Sequence, residues 1–474
     1  MLKISSKAVC IHAHFYQPSR ENPFTNQITK ELGSEPYDNW NEMIFSNCYK
    51  PNSDLEIFKN ISFNLGPTLV SWMDDFHSDI LKNIIEQAKY GKLKTGLSNA
   101  LAQPYHHTIL PLAKYHDKKI QVKWGIADYK YYYGYYPEGI WLPETAVDYE
   151  TLEVLVDEGI KFTILAPWQA HKNNLDTTKP YRVRLTENKN MAVFFFDAFL
   201  SGQFSFNPKI TENAENIIDE IFIPRFNAEI NESGNKGIIL IATDGELYGH
   251  HQKFRDKFLA HLIKSIRKKD SLSLTNLSIW LHDHPPVDEI SIEPNTSWSC
   301  HHGIQRWQGV CNCTPQAEWK KPLREALDLI GTEIDSIFVE EMGRLTTDPW
   351  QIAENYIHVL HKTMDLKELI KPYQKIGIKG EEIMKISVLL EAQKHKQRMF
   401  TSCGWFFDNL DRVEPRYNIA HAAYAISLVR KITADHFGQD VIKKLSDATN
   451  IDGTVNGEMI FNQYFNEEKK AQLL

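Results

Sequence analysis

The chain has 474 residues, a formal net charge of -8 and a pI near 6.2. That length suggests two or three domains, or one large α/β barrel with an appendage, and the scattered Lys and Arg provide no basic stripe for a nucleic-acid backbone. No apolar run is long enough to span a bilayer, and six cysteines in so long a chain do not make a disulfide framework, so a reducing cytoplasm is the expected setting.

The N-terminal stretch has only a short apolar segment interrupted by two histidines, and it reads as a first strand rather than a signal peptide. From Ala8 to about Pro286, apolar runs alternate with helix-like segments. The candidate strands are "AVCIHAHF", "ISFNLG", "GLSNALAQ", "GIWLP", "KFTILAP", "AVFFFDAF", "GIILIATD" and "SLTNLSIWL". Between them, "DYETLEVLVDEG" predicts an amphipathic helix: Asp148 can cap it, Leu152, Leu155 and Val156 share a face, and Gly159 can close it. Repeated βα units imply a parallel sheet, either a barrel or doubly wound. From about Ala317 the pattern becomes helical, in "EWKKPLREALDLIGTEIDSIFVEEM", "PWQIAENYIHVLHKTM", "KGEEIMKISVLLEAQKHKQRM" and "NIAHAAYAISLVRKITADHF".

Polar residues at the C-terminal ends of barrel strands are the natural candidates for function. "HAHFYQP" alternates His12 and His14 along one strand face and continues to Gln17. "AQPYHHTILPL" puts His107 in a ring-rich loop, although a turn at Pro104 explains that loop equally well. In "GIWLPE", Trp141 and Pro143 precede Glu144, a glutamate that is either a solvated loop residue or an aimed group. "GIILIATDGELYGHH" delivers Asp244 to a strand end, followed by Glu246 and His250, where an Asp-Gly turn is the plain alternative. Carboxylates on separate strand ends could form the acid/base pair that glycoside hydrolysis requires.

Together with "RMFTSCGWFFD", these four segments resemble the five ordered motifs of glycoside hydrolase family 57, over roughly Ala8 to Asp408. The resemblance implies an incomplete (β/α)7 TIM-like barrel, placed at residues 1–310, and a C-terminal α-helical domain at 311–474 that contributes to the cleft. It implies a retaining hydrolase or glucanotransferase acting on α-glucosidic bonds of an oligo- or polysaccharide, with no cofactor and with neither nucleic acid nor membrane as partner. Glu144 matches the nucleophile and Asp244 the general acid/base. His12, His14, Gln17, His107, Trp141, His250 and Trp405 form the expected substrate-contacting set. Retention places the two carboxyls about 5–5.5 Å apart, inversion about 6.5–9.5 Å. The fifth motif departs from the family pattern at Cys403-Gly404, where an aspartate is more usual.

Two other readings stay open at this stage. One is a metal-dependent hydrolase built on His12 and His14, although the middle strands do not supply the further ligands it would need. The other is a catalytically silent glucan-binding protein. Separately, "SCHHGIQRWQGVCNC" carries Cys300, Cys311 and Cys313 beside His301 and His302. Zinc ligation is conceivable there, but the spacing is not a two-CxxC pattern, and a packed connection without metal is the expectation.

Overall fold

The computed structural model describes residues 7–229, 237–375, 377–433 and 437–471. Ten strands occur among them: β1 (Lys7–Phe15), β2 (Ser62–Leu65), β3 (Ala100–Leu101), β4 (Gly139–Ile140), β5 (Phe162–Leu165), β6 (Tyr181–Arg184), β7 (Asn190–Phe195), β8 (Gly237–Asp244), β9 (Ser273–Leu274) and β10 (Glu289–Ile290). β1 and β8 are almost continuously apolar and buried, as parallel strands covered on both faces must be. β1 pairs in parallel with β2 on one side and β8 on the other, with His12 opposite Ser62 and His14 opposite both Asn64 and Asp244. β2 continues to β3, a bridge from Ala102 to Ile140 joins β4, and β5 and β7 follow in parallel. A backbone hydrogen bond from Asp197 to Leu240, 2.7 Å, links the end of β7 to β8.

The circuit β8-β1-β2-β3-β4-β5-β7 is a seven-stranded parallel barrel whose last seam is barely stitched, the incomplete (β/α)7 architecture the resemblance implies. Its core is built from Trp141, Phe162, Ile164, Phe194, Leu240 and Trp280, all buried. The predicted helix forms at Tyr149–Asp157, with the Asp148 side chain accepting from Thr151 N, and Gly159 takes φ +78° just beyond its end.

Two features differ from the sequence expectation. "SLTNLSIWL" is a strand only at β9. Asn276 then caps a helix at Leu277–Asp283 by accepting from Ile279 N, and Leu277 and Trp280, three apart, bury one helical face. β6, antiparallel to β7 and carrying β10, went unread because its exposed positions hold arginine.

The chain forms two compact units. The first, Met1–Gln17, Lys30–Pro104 and Tyr129–Trp298, contains the barrel. The second, Pro18–Thr29, Tyr105–Asp128 and Ser299–Leu474, is mainly helical, with long helices at Lys320–Leu345, Gly380–Arg398 and Val413–Arg430. It begins at Ser299 rather than 311 and takes in two earlier segments. Part of the predicted helical stretch that ends at "TADHF", residues 434–436, lies outside the described residues. Among the described residues no helix is long and apolar enough to cross a membrane.

Candidate active site

Within the barrel unit, Glu144 leaves the end of β4 in a short 3-10 turn, Pro143–Thr145. Its backbone is left-handed, φ 57° and ψ 18°, and so is that of Thr145, φ 50°. Left-handed backbone costs an L-residue about 1–2 kcal/mol, more for a β-branched side chain, so two in succession persist only where the surroundings impose them. Here they do. Thr145 N donates to Leu142 O at 2.8 Å, Thr145 Oγ1 donates to Gln169 Oε1 at 2.7 Å, and Gln169 Nε2 donates back to Thr145 O at 2.8 Å. Trp298 closes the far side: its backbone N–H donates to Glu144 O at 2.9 Å and its indole Nε1–H to Glu144 Oε2 at 3.0 Å. The Glu144 carboxylate is half-buried and held by an indole N–H, unlike a free loop glutamate.

Trp141 anchors the floor beside it. Its fully buried ring stacks on His12 at 4.8 Å and on His14 at 5.1 Å, and meets Trp298 edge-on at 5.0 Å. His12 Nδ1 lies 3.0 Å from Ser62 Oγ, and His14 Nδ1 lies 3.0 Å from Asn64 Nδ2, which also donates to Gln103 Oε1 at 2.8 Å. Burial pushes both imidazoles down to about 3, His12 with a further contribution from His14, so each is a neutral hydrogen-bonding group. The alternation read from the sequence therefore holds: both rings face the Trp141 side. Among the described residues no group of three or more metal-ligating side chains includes either histidine.

Asp244 terminates β8 opposite His14. Its surface is open to solvent, yet desolvation by the protein around it pushes it up to about 6. Gly245 follows because Phe15 leaves no room: an added Cβ would meet the ring at 2.3 Å. A 3-10 turn, Gly245–Leu247, then buries Glu246, whose Oε1 accepts from Tyr49 Oη at 2.7 Å and Tyr16 N at 3.1 Å. Burial, and secondarily the charge of Asp244, push Glu246 up to about 8, so at neutral pH it holds a proton and Asp244 is the neighbour free to exchange one. Gln17 hydrogen-bonds Tyr49, which ties it to the Glu246 end of the site. His250 is half-buried against Trp40 and His251, and burial pushes it down to about 4.

His107 and Trp405 belong to the helical unit. His107, φ 55°, has Nδ1 2.6 Å from Ser402 Oγ, and Ser402 opens the 3-10 turn that ends at the buried Trp405. The departure at Gly404 has a steric cause: an added Cβ would meet Asn418 Nδ2 at 2.1 Å, and that amide donates to Thr401 O at 2.9 Å. Asn418 fills the space that a side chain at 404 would need.

Sequence reasoning missed three groups. Trp298 and Gln169, which impose the Glu144 turn, and Asn64, which orients His14, lie far from their partners in the chain, and nothing local marks them.

Residues 8–293 match the model of glycosyl hydrolase family 57, and residues 316–471 match a domain of unknown function, DUF3536. No curated protein matches the sequence. Among solved structures, the chain is similar to an exo-type maltose-forming amylase from Pyrococcus sp. ST04 at 14% identity and TM-score 0.75, covering 97% of this chain and 88% of that one. It is also similar to a branching enzyme from Pyrococcus horikoshii at 15% identity and TM-score 0.64, covering 98% and 95%, and to an α-amylase from Thermotoga maritima at 14% and 0.58, covering 97% and 99%. At such identities the likeness is one of fold. The family match covers more than half of the chain and contains both strand-end carboxyls, and on that ground this chain belongs to glycosyl hydrolase family 57.

Proposed function

We propose that the chain is a retaining enzyme acting on α-glucosidic bonds of oligo- or polysaccharides in the cytoplasm, with Glu144 as nucleophile and Asp244 as general acid/base. The observation that carries this reading is the doubly left-handed turn at Glu144–Thr145, clamped by Gln169 and Trp298 so that one carboxylate is aimed at the cost of backbone strain. Family membership and the activities of the similar structures, two amylases and a branching enzyme, supply the substrate class.

The chemistry follows from the two environments. Glu144, oriented by the Trp298 indole, attacks the anomeric carbon while Asp244, raised to about 6, donates its proton to the departing oxygen. Asp244, now ionised, removes a proton from the acceptor that displaces Glu144. Water as acceptor gives hydrolysis, and a sugar hydroxyl gives transfer. His12 Nε2, Gln103 Nε2 and Trp141 Nε1 are buried without a hydrogen-bond partner among the described residues, and they are the groups we assign to sugar hydroxyls.

The test is product analysis with maltooligosaccharides, reading chain length and the anomeric configuration of the first product by NMR. Retained configuration is expected, with loss of turnover on the order of 10⁴-fold in Glu144→Gln. Turnover undiminished in that variant, or an inverted product, would overturn the assignment.

A further inference from the structure

A cluster in the helical unit has no part in this chemistry. Cys300, His302, Cys311 and Cys313 offer four ligand atoms that all lie within 4.8 Å of one another. Cys300 Sγ is 3.5 Å from Cys311 Sγ and 3.8 Å from Cys313 Sγ, and His302 Nδ1 is 3.4 Å from the sulfurs of both Cys311 and Cys313. The three cysteines are free thiols.

Those separations match the edges of a metal-centred tetrahedron. With Zn–S about 2.3 Å and Zn–N about 2.0 Å, tetrahedral geometry requires S···S edges of about 3.8 Å and S···N edges of about 3.5 Å. Packed thiols have no reason to converge on one imidazole nitrogen with that spacing. Two tight turns present the ligands. Gly303, φ 75°, follows His302, and Thr314 N donates to Cys311 O at 2.9 Å across the Cys311–Thr314 bridge, which brings Cys311 and Cys313 onto one point. The motif is thus Cys-x-His and Cys-x-Cys, two short pairs that spacing alone did not identify.

A dication with three thiolates and a neutral histidine would carry one net negative charge, and cationic side chains lie nearby. Lys320, fully buried, donates to Thr314 Oγ1 at 2.7 Å, beside Cys313. The guanidinium of Arg306, also buried, donates to Ser299 O, one residue before the first ligand.

We propose that Cys300, His302, Cys311 and Cys313 bind one zinc ion, a closed four-ligand structural site that staples residues 299–319 ahead of the helix Lys320–Leu345. Four protein ligands leave no position for substrate, so the metal stabilises the fold and takes no part in glycoside chemistry.

The experiment uses the full-length protein, purified under reducing conditions and reconstituted with Zn²⁺ or, separately, Co²⁺. One equivalent of zinc by elemental analysis is expected. The cobalt form should show the intense visible bands of tetrahedral coordination together with thiolate-to-metal charge transfer, and removal of zinc by a chelator should lower Tm. Cys311→Ser with Cys313→Ser should abolish stoichiometric binding. The exposed His302→Ala gives a milder variant in case the double one does not fold, with a weakened zinc affinity expected. Substoichiometric zinc after reconstitution, an octahedral cobalt spectrum, or unchanged zinc affinity in these variants would overturn the proposal.

Discussion

Two groups of carboxyls in this molecule are treated in opposite ways. In the helical unit, Lys396 is fully buried and donates to both oxygens of Asp117, at 2.7 and 2.8 Å, and to Asp335 at 2.5 Å. Burial alone would push Lys396 down and Asp335 up, but the mutual attraction wins: Lys396 is held above its usual value and Asp335 below. In the barrel unit, desolvation pushes Asp244 and Glu246 up, and the charge of Asp244 adds to the rise at Glu246. The ammonium beside Asp335 holds it ionised as part of the structure, whereas Glu246 keeps a proton at neutral pH and Asp244, near 6, can exchange one.

Three experiments would break or sharpen that contrast. Asp244→Asn should lower kcat/KM by 10²–10⁴-fold, the order of magnitude of general acid–base catalysis. The wild-type rate should fall as pH rises through about 6, because the acid must be protonated to donate, and the variant should lose that limb. A variant whose basic limb stays in place would assign it to another group. Next, Lys396→Met should destabilise the protein by about 3–5 kcal/mol in urea unfolding, since it leaves Asp117 and Asp335 facing each other in the interior. A loss near zero would mean that the pair relaxes into water.

The third effect is smaller and appears as a slope. Burial holds Glu246 near 8 in the folded state, well above the ordinary glutamate value of 4.5, so between those values the native state binds the proton that the unfolded state has lost. Its contribution is therefore most favourable below about pH 4.5 and is lost as pH rises toward about 8. Glu246→Gln should flatten that decline while keeping the bond from Tyr49. An unchanged slope would show that Glu246 ionises in the native state as it does in the unfolded one.

Much of the barrel was legible because parallel strands buried on both faces read as apolar runs, and a lone acidic residue at the end of such a run, as in Asp244 after Gly237–Thr243, stands out. The two-residue strand β10 and the arginine-bearing β6 do not read that way, and the helix Leu277–Asp283 was hidden by residues that suit a strand equally well. At the site, the groups at strand ends were visible, whereas their supports were not. Trp298 reaches Glu144 across 154 positions and Gln169 reaches Thr145 across 24. Such pairings are products of the folded barrel and leave no periodic trace in the chain. The Cys/His cluster is hard to read in sequence for a related reason: ligand spacing along a chain describes only local geometry, and here the fold brings two short pairs to one point.

The turn at Glu144–Thr145 also bears on efforts to make this protein more robust. A survey for stabilising substitutions would select position 145 at once, because glycine relieves a left-handed backbone that threonine resists. Yet Thr145→Gly would remove the hydroxyl that Gln169 holds and free the peptide next to Glu144 to rotate. Heat tolerance and reactivity compete at this residue, and a laboratory lineage selected for thermal survival alone would drift toward a well-folded barrel whose carboxylate no longer points anywhere in particular.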